Sequence, residues 1–360
     1  MLVDVFWFAS GLALLAGGAE LLVRGASRLA LSFGVSPLVV GLTIVSFGTS
    51  APEVAVATGA ALGGRADIAI GNVVGSNVFN VLFILGLSAL ITPLVVNAQL
   101  IRQEVPIMVG ASCLLVALAL DRTIGRLDAA VMLTLLVAYS AFLVVQSRKE
   151  ARATIEEYQE EIDRVAGTGW RGHWTANALL VVAGLALLVM GSEWLVDAAV
   201  AFARAFGVSD LVIGLTIVAA GTSMPEVATS VTAALKGERD IAVGNVVGSN
   251  TFNILGCLGV SGLVSSAGLP VAPAVLNLDL WVMLAVAIAC LPVFFTGREI
   301  ARWEGGVFLG YYVAYTAYLV LAAQQHDALP AFSAVMLWFV IPLTVVTLAV
   351  VLVRSLRAAP

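Results

Sequence analysis

The chain has 360 residues and a formal net charge of −5; 61% of its residues are hydrophobic and 11% are charged. A mean hydropathy of +1.03 excludes a water-soluble globular domain. Apolar runs of about 20 residues, each long enough to cross about 30 Å of hydrocarbon, recur along the whole length. The sequence therefore predicts an all-α polytopic membrane protein.

Eleven membrane spans are predicted in chain order. The first apolar run lacks the basic region of a cleavable signal, so we expect a mature helix there. All three cysteines fall inside spans and are interpreted as small packing residues, not as a disulfide framework or a metal cluster. The spans cover approximately residues 4–30, 36–60, 67–91, 103–121, 125–146, 175–203, 209–235, 240–265, 276–297, 303–323 and 332–354.

An internal repeat with an offset of 173 residues organises these spans. Between Gly34–Gly86 and Gly207–Gly259, 36 of 53 positions are identical. Five spans belong to each copy, and the eleventh has no counterpart. The predicted units are a first repeat over residues 1–146, a cytoplasmic linker over 147–174, a second repeat over 175–325 and an extra C-terminal helix over 326–360.

Basic residues predict the orientation. With the N-terminus outside, 14 of the 18 Lys and Arg residues lie in cytoplasmic loops or helix ends, as the positive-inside rule requires. An odd number of spans per copy makes the second copy enter the membrane from the opposite side. Such inverted repeats are typical of secondary transporters, which bind substrate between the repeats near mid-bilayer. We expect a protein of the cell (inner or plasma) membrane with a cytoplasmic C-terminus.

The polar segment Ser147–Trp174 joins the two copies. Ile155, Tyr158, Ile162 and Val165 recur at helical spacing among acidic residues, which predicts a short amphipathic helix at the cytoplasmic surface. The segment is too short for a separate ligand-binding domain.

Each copy carries a Gly-Thr-Ser-x-Pro-Glu motif, Gly48–Glu53 and Gly221–Glu226, inside an apolar span. An intramembrane carboxylate costs about 2.5–3.5 kcal/mol on insertion scales, so it usually faces a partner or a watery cavity. The proline cannot donate to the carbonyl four residues earlier, which predicts a broken helix with a freed carbonyl. A bound cation is one partner that such a carbonyl can take.

Polar residues also follow one face of the next span. Asn72, Ser76 and Asn80 are spaced four apart, and Asn245, Ser249 and Asn253 repeat the stripe. In both copies a Gly-xxx-Gly pair in the same span allows close helix approach. Two broken and two striped helices would form a cage of carboxylate, hydroxyl, amide and carbonyl oxygens.

An all-oxygen cage suits a hard cation such as Ca²⁺. The only histidines, His173 and His326, lie in predicted loops, which disfavours Zn²⁺ or Cu²⁺. Alone, either motif is more often a packing kink than a site; repetition of the whole set favours an ion site. No nucleophilic triad, phosphate-cradling loop or nucleic-acid patch is found, so we predict neither an enzyme nor a resident cofactor. No protein partner is indicated beside the lipid bilayer and inorganic cations.

Further acidic residues lie outside the motifs. Glu20 can pair with Arg24 at i,i+4, so for Glu20 and its repeat counterpart Glu193 a structural role and ion contact are both open. Asp67 and Asp240 begin the third and eighth spans and are expected to be N-caps.

These motifs and their duplication resemble the α-repeats of the cation/Ca²⁺ exchanger superfamily, in particular its prokaryotic sodium/calcium exchanger branch. The resemblance covers residues 4–323 approximately. It implies a ten-helix inverted-repeat core that exchanges cytosolic Ca²⁺ for external Na⁺ by alternating access. It also implies a ligand set, with Glu53 and Glu226 at its centre, which comprises Thr49, Ser50, Ser76, Asn80, Thr222, Ser223, Ser249, Asn253 and backbone carbonyls near Ser46 and Ala219.

Two features depart from that family. Its members often carry an aspartate at one of the positions matching Asn80 and Asn253, whereas both are asparagine here, so the resemblance leaves the number of Na⁺ per Ca²⁺ open. The eleventh span also lies outside the ten-helix pattern. The alternatives are a Ca²⁺/H⁺ antiporter on the same fold, with both glutamates as proton carriers, and a passive cation channel.

Overall fold

The computed structural model describes residues 2–33, 35–165, 174–206, 213, 216–217 and 219–358. Within these residues, nine helices are long and apolar enough to cross a membrane, and a bent pair, Pro37–Thr49 with Ala51–Leu62, makes a tenth. These ten correspond to ten of the eleven predicted spans. The predicted seventh span, residues 209–235, lies partly outside the described residues.

The described helices and strands are numbered in chain order. The α-helices are α1 Leu2–Phe33, α2 Pro37–Val40, α3 Ser46–Thr49, α4 Ala51–Leu62, α5 Ala66–Phe79, α6 Gly86–Ile91, α7 Val105–Ala119, α8 Arg126–Val165, α9 Trp174–Ala205, α10 Ala219–Gly221, α11 Met224–Leu235, α12 Arg239–Phe252, α13 Leu258–Val264, α14 Leu280–Phe295, α15 Arg302–Ala323, α16 Leu329–Val335 and α17 Ile341–Ala358. The π-helical segments are Gly41–Val45, Asn80–Leu85, Leu100–Glu104, Asn253–Cys257, Val275–Asp279 and Met336–Val340. The strands are β1 Leu94–Val95, β2 Thr123–Ile124, β3 Leu269–Pro270 and β4 Glu299–Ile300.

Short strands join the two repeats. β1 pairs antiparallel with β4, and β2 pairs antiparallel with β3. Each pair takes one strand from each repeat, so the two sheets are reciprocal contacts between the halves.

Glycines seven residues apart form a tight seam between α1 and α9. A Cβ on Gly11 would lie 2.8 Å from the nitrogen of Leu195, one on Gly18 would lie 2.8 Å from the carbonyl oxygen of Gly184, and one on Gly25 would lie 3.0 Å from the oxygen of Asn177. Because higher numbers on α1 meet lower numbers on α9, these repeat-equivalent helices run antiparallel. That is the relative direction expected of inverted repeats.

The striped helices α5 and α12 lie at the centre. Their spans are the most enclosed of the candidate membrane helices: the apolar window of Arg239–Val264 is 100% buried and that of Asp67–Ile91 is 72% buried. In α12, a Cβ on Gly248 would lie 2.7 Å from the oxygen of Leu42, so this glycine provides the close approach that the sequence predicts. The equivalent neighbour of Gly75 would be Leu215, which lies outside the described residues.

One local prediction is wrong. Asp67 and Asp240 are not N-caps: α5 and α12 begin two residues earlier than such caps would require, and the capping positions fall on Arg65 and Glu238. Both aspartates instead lie in the first helical turn, where the helix dipole favours negative charge. The fifth span ends near residue 146 as predicted, since the candidate membrane segment is Arg126–Ser147, but helix α8 continues without interruption to Val165. The predicted linker helix is thus the end of α8, and residues 166–173 lie outside the described residues.

The predicted C-terminal span is present as α16, the π segment Met336–Val340 and α17. Its apolar window, within Leu329–Arg354, is 0% buried, so this helix lies at the periphery. The Tyr311 hydroxyl of α15 donates to the Thr344 hydroxyl at 2.7 Å and so holds the helix to the second repeat.

Candidate cation site

Both proline motifs interrupt a helix at the same place. Ser50 separates α3 from α4 with φ −81° and ψ 7°, and Ser223 precedes α11 with φ −89° and ψ 10°. The first-repeat helix bends by 45° at this break. Glu53 and Glu226 follow in the first turns of α4 and α11, and both are fully buried.

The two repeats exchange hydrogen bonds between these breaks. Ser50 Oγ of the first repeat donates to Glu226 Oε1 of the second at 3.0 Å. Ser223 Oγ lies 2.8 Å from Glu53 Oε1 and 3.1 Å from Ser76 Oγ. The serine of each motif thus contacts the carboxylate of the other, which brings five predicted site residues to one place.

The motif threonines are paired across the repeats in the same way. Thr49 Oγ1 donates to Asn245 Oδ1 at 3.1 Å, and Thr222 Oγ1 donates to Asn72 Oδ1 at 3.3 Å. The sequence places both asparagines in the polar stripes but not among the expected ligands. The two amide oxygens thus face the motif hydroxyls as acceptors, although Thr49 Oγ1 also lies 3.1 Å from the Val45 carbonyl oxygen of its own helix.

Several buried oxygens of the site have no hydrogen-bond partner among the described residues. They are Glu53 Oε2, Glu226 Oε2, Asn80 Oδ1 and Ser249 Oγ. Each belongs to the predicted ligand set, and one comes from each of the four central helical stretches. An unsatisfied buried polar group costs about 1–3 kcal/mol, and more when it is charged. Buried oxygens without protein partners are compensated by ions or by ordered water, so these four oxygens mark the candidate cation site.

Asparagines of both stripes form a closed network beside these oxygens. Asn77 Nδ2 donates to the Asn250 carbonyl oxygen, and Asn250 Nδ2 donates to the Asn77 carbonyl oxygen, both at 3.2 Å. Asn80 Nδ2 donates to Asn250 Oδ1 at 3.0 Å, and Asn253 Nδ2 donates to Asn77 Oδ1 at 3.2 Å. All four residues are buried.

The sequence analysis does not assign a role to Asn77 or Asn250. Their place in the repeated Gly-Ser-Asn triplet is the one sequence feature that could have pointed to a role. Both residues lie off the Asn-x₃-Ser-x₃-Asn face of the helix. Thr229 was also missed. Its hydroxyl is buried without a partner among the described residues, three positions after Glu226. Its repeat counterpart is Val56, so the repeat gives no signal for it.

One freed carbonyl has a protein partner. The Gly221 oxygen, which Pro225 leaves without an N–H donor, accepts a hydrogen bond from Ser192 Oγ of α9 at 2.6 Å. Ser192 thus supplies one of the new partners that the freed carbonyl needs, and whether this carbonyl also takes a cation stays a prediction. The first repeat has Ala19 at the position matching Ser192 and offers no hydroxyl there.

The predicted backbone ligands are the carbonyls near Ser46 and Ala219. The Ser46 carbonyl accepts from the Ser50 N–H at 3.0 Å, and the Ser46 hydroxyl donates to Gly41 O at 2.6 Å and contacts Asn245 O at 3.0 Å. Ser46 thus lies at the contact between the first broken helix and α12. Ala219 begins α10, just before the second break.

The outlying acidic residues have separate surroundings. Glu20 Oε1 accepts from Arg24 at 2.8 Å, as its spacing predicts, and Glu20 Oε2 forms an ion pair with Lys236 at the end of α11. Glu20 therefore links α1 to the second repeat. Glu193 is exposed.

The candidate ligand atoms of the site are all oxygens. Among the described residues, no group of three or more His, Cys, Asp and Glu side chains could hold a metal ion. Glu53 and Glu226 form no ion pair with Lys or Arg in that part of the chain. The site thus combines two carboxylates with neutral hydroxyl and amide oxygens, which is the environment that hard cations prefer.

Broken helices, buried acidic residues and repeat-related contacts define a membrane transport protein, and comparison with known proteins identifies the family. The model of the family described as "Sodium/calcium exchanger protein" matches residues 3–147 and 176–321. The chain therefore belongs to the sodium/calcium exchanger family. It is an integral membrane protein of a family that exchanges cations.

Individual relatives cover most of the chain. The sodium/calcium exchanger MaX1 of Methanosarcina acetivorans is 35% identical over 86% of this chain and 96% of its own length. The inner membrane protein YrbG of Escherichia coli is 37% identical over 80% of this chain and 87% of its own length. A solved structure of the sodium-calcium exchanger NCX_Mj superimposes with a TM-score of 0.75 and 30% identity, covering 88% of this chain and 99% of that one.

Proposed function

We propose that this protein exchanges Ca²⁺ for Na⁺ across the membrane by alternating access, with both ions bound between the repeats. The observation that carries the proposal is the pair of buried carboxylates. Each is bonded through one oxygen to a serine of the other repeat, and the second oxygen of each has no partner among the described residues. A site built from both repeats changes shape when the repeats move relative to each other. This coupling is what alternating access requires.

Charge and ligand type favour Ca²⁺ and Na⁺ as the cargo. Two carboxylates carry a formal charge of −2, which one Ca²⁺ or two Na⁺ would neutralise. The neutral oxygens of Asn80 and Ser249 add ligands that Ca²⁺ needs to reach its usual coordination of about 6–8 oxygens. Proton exchange would need the carboxylates alone and gives these neutral oxygens no role. The names of MaX1 and NCX_Mj agree with Na⁺ as the counter-ion.

The ligand set of the proposal is the one predicted from the sequence, with Thr49 and Thr222 held by Asn245 and Asn72. The ten-helix arrangement of two inverted repeats, with an added C-terminal helix, also belongs to the proposal. Its support is the antiparallel seam of α1 and α9 and the reciprocal strand pairs. The N-terminus is placed outside, on the distribution of basic residues.

Transport measured in proteoliposomes with imposed ion gradients tests the proposal. Vesicles loaded with Na⁺ and diluted into K⁺ medium containing Ca²⁺ should accumulate Ca²⁺ above the level of protein-free vesicles. A pH gradient without Na⁺ should not drive this uptake. Uptake driven by the pH gradient, with no response to Na⁺, would replace the proposal by Ca²⁺/H⁺ antiport. Rapid Ca²⁺ entry without any counter-ion would indicate a channel.

A further inference from the structure

The four-asparagine network fixes which atom of each amide faces the cation site. The backbone carbonyl oxygens of Asn77 and Asn250 can accept hydrogen bonds but never donate them. Each receives the side chain of the other asparagine, so that side chain must present its NH₂ group. The amide oxygens of Asn77 and Asn250 therefore have to point away from these carbonyls.

These two oxygens then determine the orientation of the next amides. Asn77 Oδ1 faces Asn253, and Asn250 Oδ1 faces Asn80, so each of those partners must also present its nitrogen. The amide oxygens of Asn253 and Asn80 are left on the opposite side. Within the described part of the chain, the buried Asn80 Oδ1 has no hydrogen-bond partner, and Asn253 Oδ1 has one weak contact, with Cys257 Sγ at 3.5 Å.

The backbone places the network at a change of helix type. α5 becomes π-helical at Asn80, and α12 becomes π-helical at Asn253. A π segment shifts the helical hydrogen-bond register and is frequent at functional sites. The network is thus repeated in both halves, and each repeat holds the amide of the other.

We propose that Asn77 and Asn250 are positioning residues of the cation site, which hold Asn253 and Asn80 with their oxygens, and not their nitrogens, toward the ion. This inference rests on the proposed function. An amide that presents NH₂ to a cation repels it, so a freely rotating Asn80 or Asn253 would be a poorer ligand. Asn77 and Asn250 would therefore set ion affinity without touching the ion.

Double-mutant cycles test the crossed pairing. Asn77→Ala and Asn250→Ala should each raise the half-saturating Ca²⁺ concentration for exchange about tenfold, equivalent to about 1.4 kcal/mol. The maximal rate should change much less. Asn77→Ala should have little further effect in an Asn253→Ala background and its full effect in an Asn80→Ala background. Asn250→Ala should have little further effect in an Asn80→Ala background and its full effect in an Asn253→Ala background.

A structural role alone predicts a different pattern. Coupling between neighbours on the same helix (Asn77 with Asn80), or equal coupling to both, would overturn the proposal, as would single variants with unchanged Ca²⁺ dependence. Ser112→Ala, which removes a buried hydroxyl bonded only within α7, is the matched control and should leave the half-saturating concentration unchanged. If Asn77→Ala does not fold, Asn77→Ser should show the same crossed pattern.

Failure of this inference is distinguishable from failure of the proposed function. If wild-type vesicles show no Na⁺-driven Ca²⁺ uptake, the proposed function is wrong. If they show it and the crossed coupling is absent, only the positioning role is wrong.

Discussion

At the scale of single residues, the dominant fact is the cost of burying two glutamates inside a membrane. An unpaired carboxylate in a low-dielectric interior is far costlier than a neutral polar group, and such groups are retained when a charge or a hydrogen bond compensates them. Glu53 and Glu226 each have one serine bond, which covers one oxygen of each carboxylate. The remaining oxygens have no partner among the described residues, so under the proposed function ion occupancy should stabilise this arrangement of the two repeats.

Some residues of the candidate site could be predicted from the sequence, and others could not. The glutamates and their serines could be predicted because carboxylates in apolar spans, next to prolines and repeated at one offset, have few structural explanations. Asn77 and Asn250 could not be assigned, because their role depends on backbone carbonyls of the opposite repeat, and no spacing within one helix shows that contact. The Ser192 bond to Gly221 was missed for the same reason: it joins residues of different helices.

At the scale of elements, the seam of α1 and α9 makes a sharp prediction, because two adjacent glycines differ in their surroundings. A Cβ on Gly18 would lie 2.8 Å from the Gly184 oxygen and 2.9 Å from the Leu188 nitrogen, whereas one on Gly17 meets no described atom within 4 Å. Gly18→Ala should therefore force the helices apart and lower the free energy of unfolding by about 1–3 kcal/mol.

Gly17→Ala is the matched control, since it adds the same methyl group one residue away on an exposed face. Alanine has a higher helix propensity than glycine, so this variant should be neutral or slightly more stable. Thermal unfolding of both variants in detergent, together with their exchange rates, provides the comparison. Equal stability of the two variants would contradict the tight seam.

Element boundaries were harder to predict than element types. The helix breaks at Ser50 and Ser223 follow from proline chemistry and lie inside the predicted motifs. The starts of α5 and α12 were misplaced because Asp67 and Asp240 are good capping residues, although the chain turns into the helix before them. The continuation of α8 to Val165 could not be predicted, because the apolar pattern that marks a membrane helix ends near residue 146. A polar helix beyond that point has the composition of a linker.

At the scale of the whole molecule, the proposed orientation has the N-terminus outside and the end of α8 in the cytoplasm. A Gln159→Cys variant tests this orientation, because residue 159 lies beyond the apolar part of α8. An impermeant thiol reagent should label it in inverted vesicles and not in intact cells. The control is the same labelling of the parent chain, whose three cysteines all lie in predicted spans. Labelling of residue 159 from outside intact cells would show that the orientation is reversed.

The overall architecture was the most predictable level. Composition defines the membrane helices, and the offset of 173 residues defines two copies whose contacts are reciprocal in the structure. Most of residues 207–218, which belong to the second broken span, lie outside the described part of the chain. The C-terminal helix packs at the edge through contacts such as Tyr311 with Thr344, which nothing in the repeat predicts.

The most direct test of the central claim, one cation site shared by both repeats, is Ca²⁺ binding and exchange by Glu53→Gln and Glu226→Gln. Each substitution removes half of the site's formal charge and keeps the side-chain shape, so each variant should fold, insert and lose Ca²⁺ binding and exchange. Glu104→Gln makes the same change at a fully buried glutamate outside the site, where Tyr139 donates at 2.6 Å, and should retain both. Wild-type Ca²⁺ binding and flux in either site variant would contradict the account.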